Sequence, residues 1–194
     1  MKKIWFFTIV LSLMLIPLAS SASFPSYYDK YVNDFAKMFG ENETSILRNL
    51  LHEVDLNTTA EVVVATINTT GGNSPQAYAT ELFNQWKIGK ADKDNGLLIV
   101  YFSTENKIWV TTGYGLEGIL PDGKIGRYLD DYYVPLRDQN KINEGILNVT
   151  AQLVDVIYEN REEVLSGQAS GDKNANVDIF AIIIWIFLAY IFFS

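Results

Sequence analysis

The chain has 194 residues with 15 basic and 23 acidic side chains, one histidine and no cysteine. That length allows one domain of ordinary size. The net charge of −8 argues against nucleic acid as a partner, because phosphate binding needs a basic surface. The lack of cysteine excludes disulfides, thiolate metal sites and cysteine nucleophiles.

Residues 1–22, MKKIWFFTIVLSLMLIPLASSA, have a charged start, a short apolar middle and a small-residue exit. This is the pattern of a cleaved secretory signal; an uncleaved N-terminal anchor is the alternative. The central domain is expected over 24–165. It opens on FPSYYDKYVNDFAKMFG (24–40), which has no clear period and is expected to be an extended entry into a short helical turn. Leu47, Leu50, Leu51 and Val54 then recur at helical spacing, predicting a helix from Glu41 with one buried face. The single histidine, His52, lies on that helix without a visible metal partner or nucleophile. The chain also lacks H-E-x-x-H.

AEVVVATIN (60–68) is short and dense in β-branched residues, the mark of a buried strand. Ser74 is placed to cap the next helix, with Pro75 at its first position and Tyr78, Leu82, Phe83 and Trp86 as its apolar face. GLLIVYFS (96–103) predicts a second buried strand, TEN a tight turn and KIWVTT (107–112) a third strand. Strands this close form an antiparallel hairpin. Ile125, Leu129, Tyr132 and Leu136 mark another helix, bent or ended by Pro135. The clearest helix runs from Asn140 to Leu165. The polar SGQASGDKNAN (166–176) is a linker. The last segment, 177–193, is uncharged from Ile179 to Phe193 and has no polar face. As a helix it covers about 22 Å, short of the roughly 30 Å of a bilayer core, yet a membrane anchor is a better expectation than a buried helix. With the signal cleaved, the domain faces outward. Sequons at Asn42, Asn57, Asn68 and Asn148 agree with an exported, glycosylated protein.

The order is α-β-α-β-β-α-α: a strand–helix–strand crossover giving two parallel strands, then an antiparallel hairpin arm. The expected fold is an α/β/α sandwich around a small mixed sheet.

TTGYGLEGILPDGKIG (111–126) holds Gly113, Gly115 and Gly118 as G-x-G-x-x-G, the spacing of a dinucleotide turn. The context does not fit. The preceding strand is a hairpin arm, no later strand completes a βαβ unit, and Pro121 and Asp122 interrupt the run before the helix. No nucleotide is expected. Hairpin pairing instead brings the start of the second strand beside the end of the third. The loops ADKDNG (91–96) and GYGLEGILPDG (113–123) should therefore meet, gathering Asp92, Asp94, Asn95, Glu117 and Asp122. Carboxylates, an amide and carbonyls suit a hard cation, Ca²⁺ or Mg²⁺. Simple turns account for the same residues equally well.

YVNDFAKMF, EVVVATI, ATELFNQWKIGK, DNGLLIVYF and KIWVTTGYGLEGILPD, followed by the amphipathic helix, together resemble the TPM domain family over residues 27–160. The resemblance implies an α/β/α sandwich and export or membrane association. Its members are linked to weak phosphatase activity, divalent-cation binding, and assembly, repair or modulation of membrane protein complexes. The motif aspartates it carries over are Asp34 of VND, Asp94 of DNG and Asp122 of ILPD; Pro121 stands where members often have threonine. The expected metal ligands are thus Asp34, Asp94, Asn95, Asp122 and Glu117. The expected function is a membrane-tethered, cation-binding accessory module for a membrane protein or complex. The alternative is a weak metal-assisted phosphatase of phosphomonoesters, in which the cation neutralises phosphate oxygens and a carboxylate acts as base. Lys90, Lys93, Lys124 and Arg127 flank the two loops.

Overall fold

Among the described residues four strands form one sheet in the order β1-β2-β3-β4: β1 (Val32–Asp34), β2 (Glu61–Ile67), β3 (Gly96–Phe102) and β4 (Lys107–Thr112). The computed structural model describes residues 24–167. The expected signal segment, the membrane segment and most of the linker lie outside the described residues. β3 is buried at every position and β2 at all but its first, which fits the two apolar runs to the centre of the sheet. β1, β2 and β3 are mutually parallel, and β4 returns antiparallel to β3 with Leu97 opposite Thr112 and Phe102 opposite Lys107.

The helices are α1 (Glu41–Thr58), α2 (Pro75–Trp86), α3 (Asp122–Tyr128), α4 (Val134–Arg137), α5 (Ile142–Glu159) and α6 (Arg161–Ser166). Glu43 reaches back to accept from the Gly40 amide at 2.9 Å, fixing the start of α1. The Ser74 hydroxyl accepts from the Ala77 amide at 3.1 Å, with Pro75 at the first position of α2. Alternation along the strands divides the core in two. Val62, Val64, Leu97, Ile99 and Tyr101 face α1 and α5, meeting Leu47, Leu51, Val149 and Leu153. Val63, Ala65, Leu98, Val100 and Phe102 face α2, meeting Tyr78, Leu82 and Trp86. The result is the α/β/α sandwich. Each Val, Leu, Ile or Phe among them, buried completely, contributes about 1.5–3 kcal/mol.

Two expectations are corrected, and the expected effect of Pro135 takes a specific form. The 24–40 segment supplies a fourth strand, β1, rather than only an entry; the Val64 amide donates to the Tyr31 carbonyl at 2.8 Å and Val32 is buried. The long last helix breaks at Asn160, whose side-chain amide donates to the Val156 carbonyl at 2.7 Å, an alternative to continuing the helix. The helix before it widens into a π turn, Leu129–Tyr133. Pro135 has no N–H for the preceding turn and its ring crowds the carbonyl four residues back, so the backbone opens there.

Candidate functional site

The two glycine-bearing loops meet at the N-terminal end of β3. The Gly115 amide donates to the Asp94 carbonyl at 3.0 Å and the Gly113 amide to the Gly96 carbonyl at 2.8 Å. The contact is so close that a Cβ on Gly113 would lie 2.1 Å from the Asp94 carbonyl oxygen, and one on Gly115 would lie 1.9 Å from that of Lys93. The first two glycines of the G-x-G-x-x-G spacing thus permit one backbone to lie on another.

Of the five expected ligands, the structure brings Asp94 and Asn95 to this junction. Asp94 has a left-handed backbone (φ 49°) and an exposed side chain. Asn95 is buried and its amide is spent on structure. Its Oδ1 accepts from the Lys90 amide at 3.0 Å, and its Nδ2 donates to the Thr59 carbonyl at 3.0 Å. Asp122 does not join them, although the loops do meet. Tyr114–Leu116 forms a 3₁₀ turn, and burial of Leu116, Ile119 and Leu120 folds the chain back. Asp122 arrives beside Trp109 and Val110, midway along β4, across from Gln76. Glu117 is exposed at the end of the 3₁₀ turn.

Asp34 lies near the other end of the sheet. It pairs with Thr66, whereas Glu61 pairs with Gly96, and that register separation is roughly 16 Å of strand. Its carboxylate accepts from the Met38 amide at 3.0 Å, the Phe39 amide at 2.9 Å and the Thr66 hydroxyl. Among the described residues no group of three or more His, Cys, Asp or Glu side chains is placed to hold a metal ion.

Asp94 opens into a cavity of about 280 Å³ that is also lined by Thr80, Asn84, Thr111 and Thr112. Thr111 Oγ1 is buried without a hydrogen-bond partner, a condition that normally costs about 1–3 kcal/mol. The oxygens of Asp94, Asn84 and the threonines are of the type a hard cation takes, and they share the cavity with the apolar Phe83 and Ile88. The neighbouring lysines turn elsewhere. Lys93 Nζ donates to Thr59 Oγ1 at 3.2 Å and to the Leu165 carbonyl at 3.0 Å, and Lys90 Nζ lies 3.7 Å from Asp55.

A polar cluster that the sequence did not reveal lies near the opposite, β1 edge. Asp55 on α1 accepts from Lys30 Nζ at 2.5 Å and from the Tyr31 hydroxyl at 3.0 Å, and that hydroxyl is 3.0 Å from His52 Nδ1. It stayed hidden because 24–31 has no period to give it a position. Burial alone would raise the Asp55 carboxyl, but the Lys30 and Tyr31 hydrogen bonds and the lysine charges outweigh it and hold the group below its usual value. Asp29 is likewise held low: burial opposes, while the Val32 and Tyr31 amides and Arg48 prevail. A depressed folded-state pKa contributes stability above the unfolded value of 3.8 that is lost as pH falls through the folded one. Acid titration of unfolding free energy is therefore expected to fall steeply below about pH 4, and Asp55→Asn to flatten that fall. An unchanged acid slope in Asp55→Asn would refute the assignment.

The fold is thus an open, mixed four-stranded sheet between helical layers, with a glycine-packed loop junction at one end. The family model for the TPM domain matches residues 32–156, and the chain belongs to that family. Similar solved structures include the N-terminal domain of a Porphyromonas protein (P. gingivalis), with 26% identity and a TM-score of 0.64, covering 69% of this chain and 85% of that one. The BA42 protein of the psychrophilic bacterium Bizionia argentinensis is similar at 14% identity and a TM-score of 0.54, covering 72% of this chain and 90% of that one, and it speaks to the fold alone. None of the curated proteins compared matches the chain.

Proposed function

We propose that the chain is a membrane-tethered, extracytoplasmic TPM-domain module that binds Ca²⁺ or Mg²⁺ at Asp94 and serves in the assembly or maintenance of a membrane protein or complex. The observation that carries the cation reading is the cavity that Asp94 lines together with Asn84, Thr80 and Thr112, close to the buried, unpartnered Thr111 Oγ1. Asn84 and Thr112 complete the proposed donor set; Asn95 and the glycines hold Asp94 in place. Export and anchoring rest on the terminal segments of the sequence. No helix among the described residues is long and apolar enough to cross a membrane. Asn42, Asn57 and Asn68 are exposed, as glycan acceptors must be.

One carboxylate among neutral oxygens makes a weak site, with Kd on the order of 10⁻⁴–10⁻³ M. Titration of the full chain in mild detergent with CaCl₂ and MgCl₂, followed by amide chemical shifts, is expected to move the Asp94 and Thr111 resonances. Asp94→Ala should weaken binding at least tenfold. Absence of any cation response in the unmodified chain would sink the reading. The same samples test phosphomonoester turnover: cation-dependent hydrolysis lost in Asp94→Ala would reassign the module as a phosphatase. The engagement of Lys90 and Lys93 elsewhere leaves the Asp94 cavity poor in phosphate-binding charge and favours the accessory reading. Alkaline-carbonate extraction and protease protection of sealed vesicles check the anchor and the side on which the domain lies.

A further inference from the structure

β4 is an open edge, yet its outer side is sheltered. Among the described residues it pairs only with β3. The hydrogen bond from the Gly113 amide to the Gly96 carbonyl sets the alternation of the ladder. Lys107, Trp109 and Thr111 turn their backbone groups to β3, while Ile108, Val110 and Thr112 turn theirs outward. Val110 is nevertheless only 8% exposed. Natural edges are usually blunted by prolines, bulges or inward-pointing charges; here the strand is KIWVTT, with one lysine at its start.

The shelter comes from two walls, α2 on one side and α3 with the π turn and α4 on the other. Three cavities follow β4 along its length. The first, of about 310 Å³, lies between Pro75, Trp109 and Tyr133 at the Lys107 end. The second, of about 240 Å³, lies between Gln76 and Asp122 beside Val110. The third is the Asp94 cavity beside Thr111 and Thr112. Together they make a trough whose floor is a strand edge.

The trough has polarity. At one end stand Lys107 and Arg137. Arg137 meets the exposed Asp138 at 2.8 Å, a surface pair that exchanges readily. Tyr133, 1% exposed, lines the same cavity, and its hydroxyl is buried without a partner. Burial pushes that phenol up to about 12, so it stays a proton donor. Midway along the trough is the carboxylate of Asp122.

We propose that β4 is a docking edge for the extended C-terminal segment of a partner protein, which adds antiparallel as a fifth strand with its terminal carboxylate beside Lys107, Arg137 and the Tyr133 hydroxyl. Antiparallel addition runs the partner from the Thr112 end to the Lys107 end. A basic side chain about three residues before its terminus then falls opposite Val110, beside Asp122, given the one-to-one register of paired strands. A single strand adds to such an edge at the ordinary spacing of about 4.8 Å. A second copy of the domain does not, since its own edge is equally recessed between walls. Residues 168–176, QASGDKNAN, lack β-branched and aromatic residues and make a poor strand.

The proposal deepens the accessory-module reading by saying how a partner attaches. The cation test reads the response to CaCl₂ and MgCl₂ without peptide, and this one reads peptide-induced protection of the Ile108 and Val110 amides without added cation, so either can fail alone. The probe is a synthetic hexapeptide of alternating valine and threonine, with lysine three residues before a free carboxylate. It is added to the full chain in detergent micelles and followed by amide hydrogen exchange. The Ile108, Val110 and Thr112 amides should gain at least tenfold protection, while those of Trp109 and Thr111, already bonded to β3, stay unchanged. Amidating the peptide terminus, or Arg137→Glu in the protein, should weaken binding at least fivefold. Lack of protection at about 1 mM peptide overturns the proposal, as does equal binding of the amidated peptide. Protection present without peptide also overturns it: loss on removing 168–194 assigns the edge to the chain's own tail, and loss on dilution to a second copy.

Discussion

Gly115→Ala is expected to lower the unfolding free energy by about 3 kcal/mol, the largest loss for so small a change at the loop junction. The added methyl would sit 1.9 Å from the Lys93 carbonyl oxygen and 3.1 Å from the Asp94 carbonyl carbon. These are backbone atoms and cannot swing aside as a flexible side chain does. Relief requires the 113–115 and 93–96 loops to part, which breaks the bond from the Gly115 amide to the Asp94 carbonyl. Overpacking costs about 1–3 kcal/mol and a lost backbone hydrogen bond about 1. Gly123→Ala is the control, because a Cβ there meets nothing within 4 Å and alanine favours the helix by up to about 1 kcal/mol. Urea midpoints of the two variants should move in opposite directions at equal slope. If Gly115→Ala keeps the parent midpoint, the close-packed junction is wrong. Under the proposed cation site, affinity should fall with it, since the Gly115 amide holds the Asp94 backbone.

This junction was legible in the sequence because it follows from pairing. Once 96–103 and 107–112 form a hairpin, the flanking loops must share an edge. The same reasoning did not place Asp122. The path of 113–121 is decided by where Leu116, Ile119 and Leu120 are buried, and nothing in the hairpin register specifies that. β1 escaped for a related reason. Three residues, VND, with one fully buried aliphatic, carry no readable alternation, and their strand exists only because β2 offers an edge. The long apolar runs of β2 and β3 and the amphipathic stripe of α5 had no such ambiguity; tertiary context merely shortened α5 at Asn160. The Lys30–Asp55 cluster joins residues 25 positions apart and depends on β1, so it was invisible for the same cause. The order of motifs pointed to the family, and with it to Asp34 as an expected metal ligand, while the task of that carboxylate in the fold went unread.

Its hydrogen bonds answer that, and they make Asp34→Ala the second large effect. The carboxylate closes the turn between β1 and α1 by accepting from the Met38 and Phe39 amides. It also holds the Thr66 hydroxyl of β2, which itself accepts from the Ala36 amide at 3.1 Å. The turn is then tied to α5, where Asn143 Nδ2 donates to the Met38 carbonyl at 2.7 Å. Hydrogen bonds to a charged group are each worth about 1.5–3 kcal/mol. Water restores part of that at a half-buried position, so Asp34→Ala should cost about 3 kcal/mol. Asp34→Asn keeps one acceptor but turns an NH₂ toward an amide, and should cost roughly half as much, with the turn retained. The informative comparison is cation affinity measured on the Asn variant below its unfolding transition. A carboxylate occupied by two amides and a hydroxyl, roughly 16 Å of strand from the Asp94 end, predicts unchanged affinity alongside lowered stability. Lost affinity with full stability would make Asp34 a ligand instead, and would require its present hydrogen bonds to open on binding.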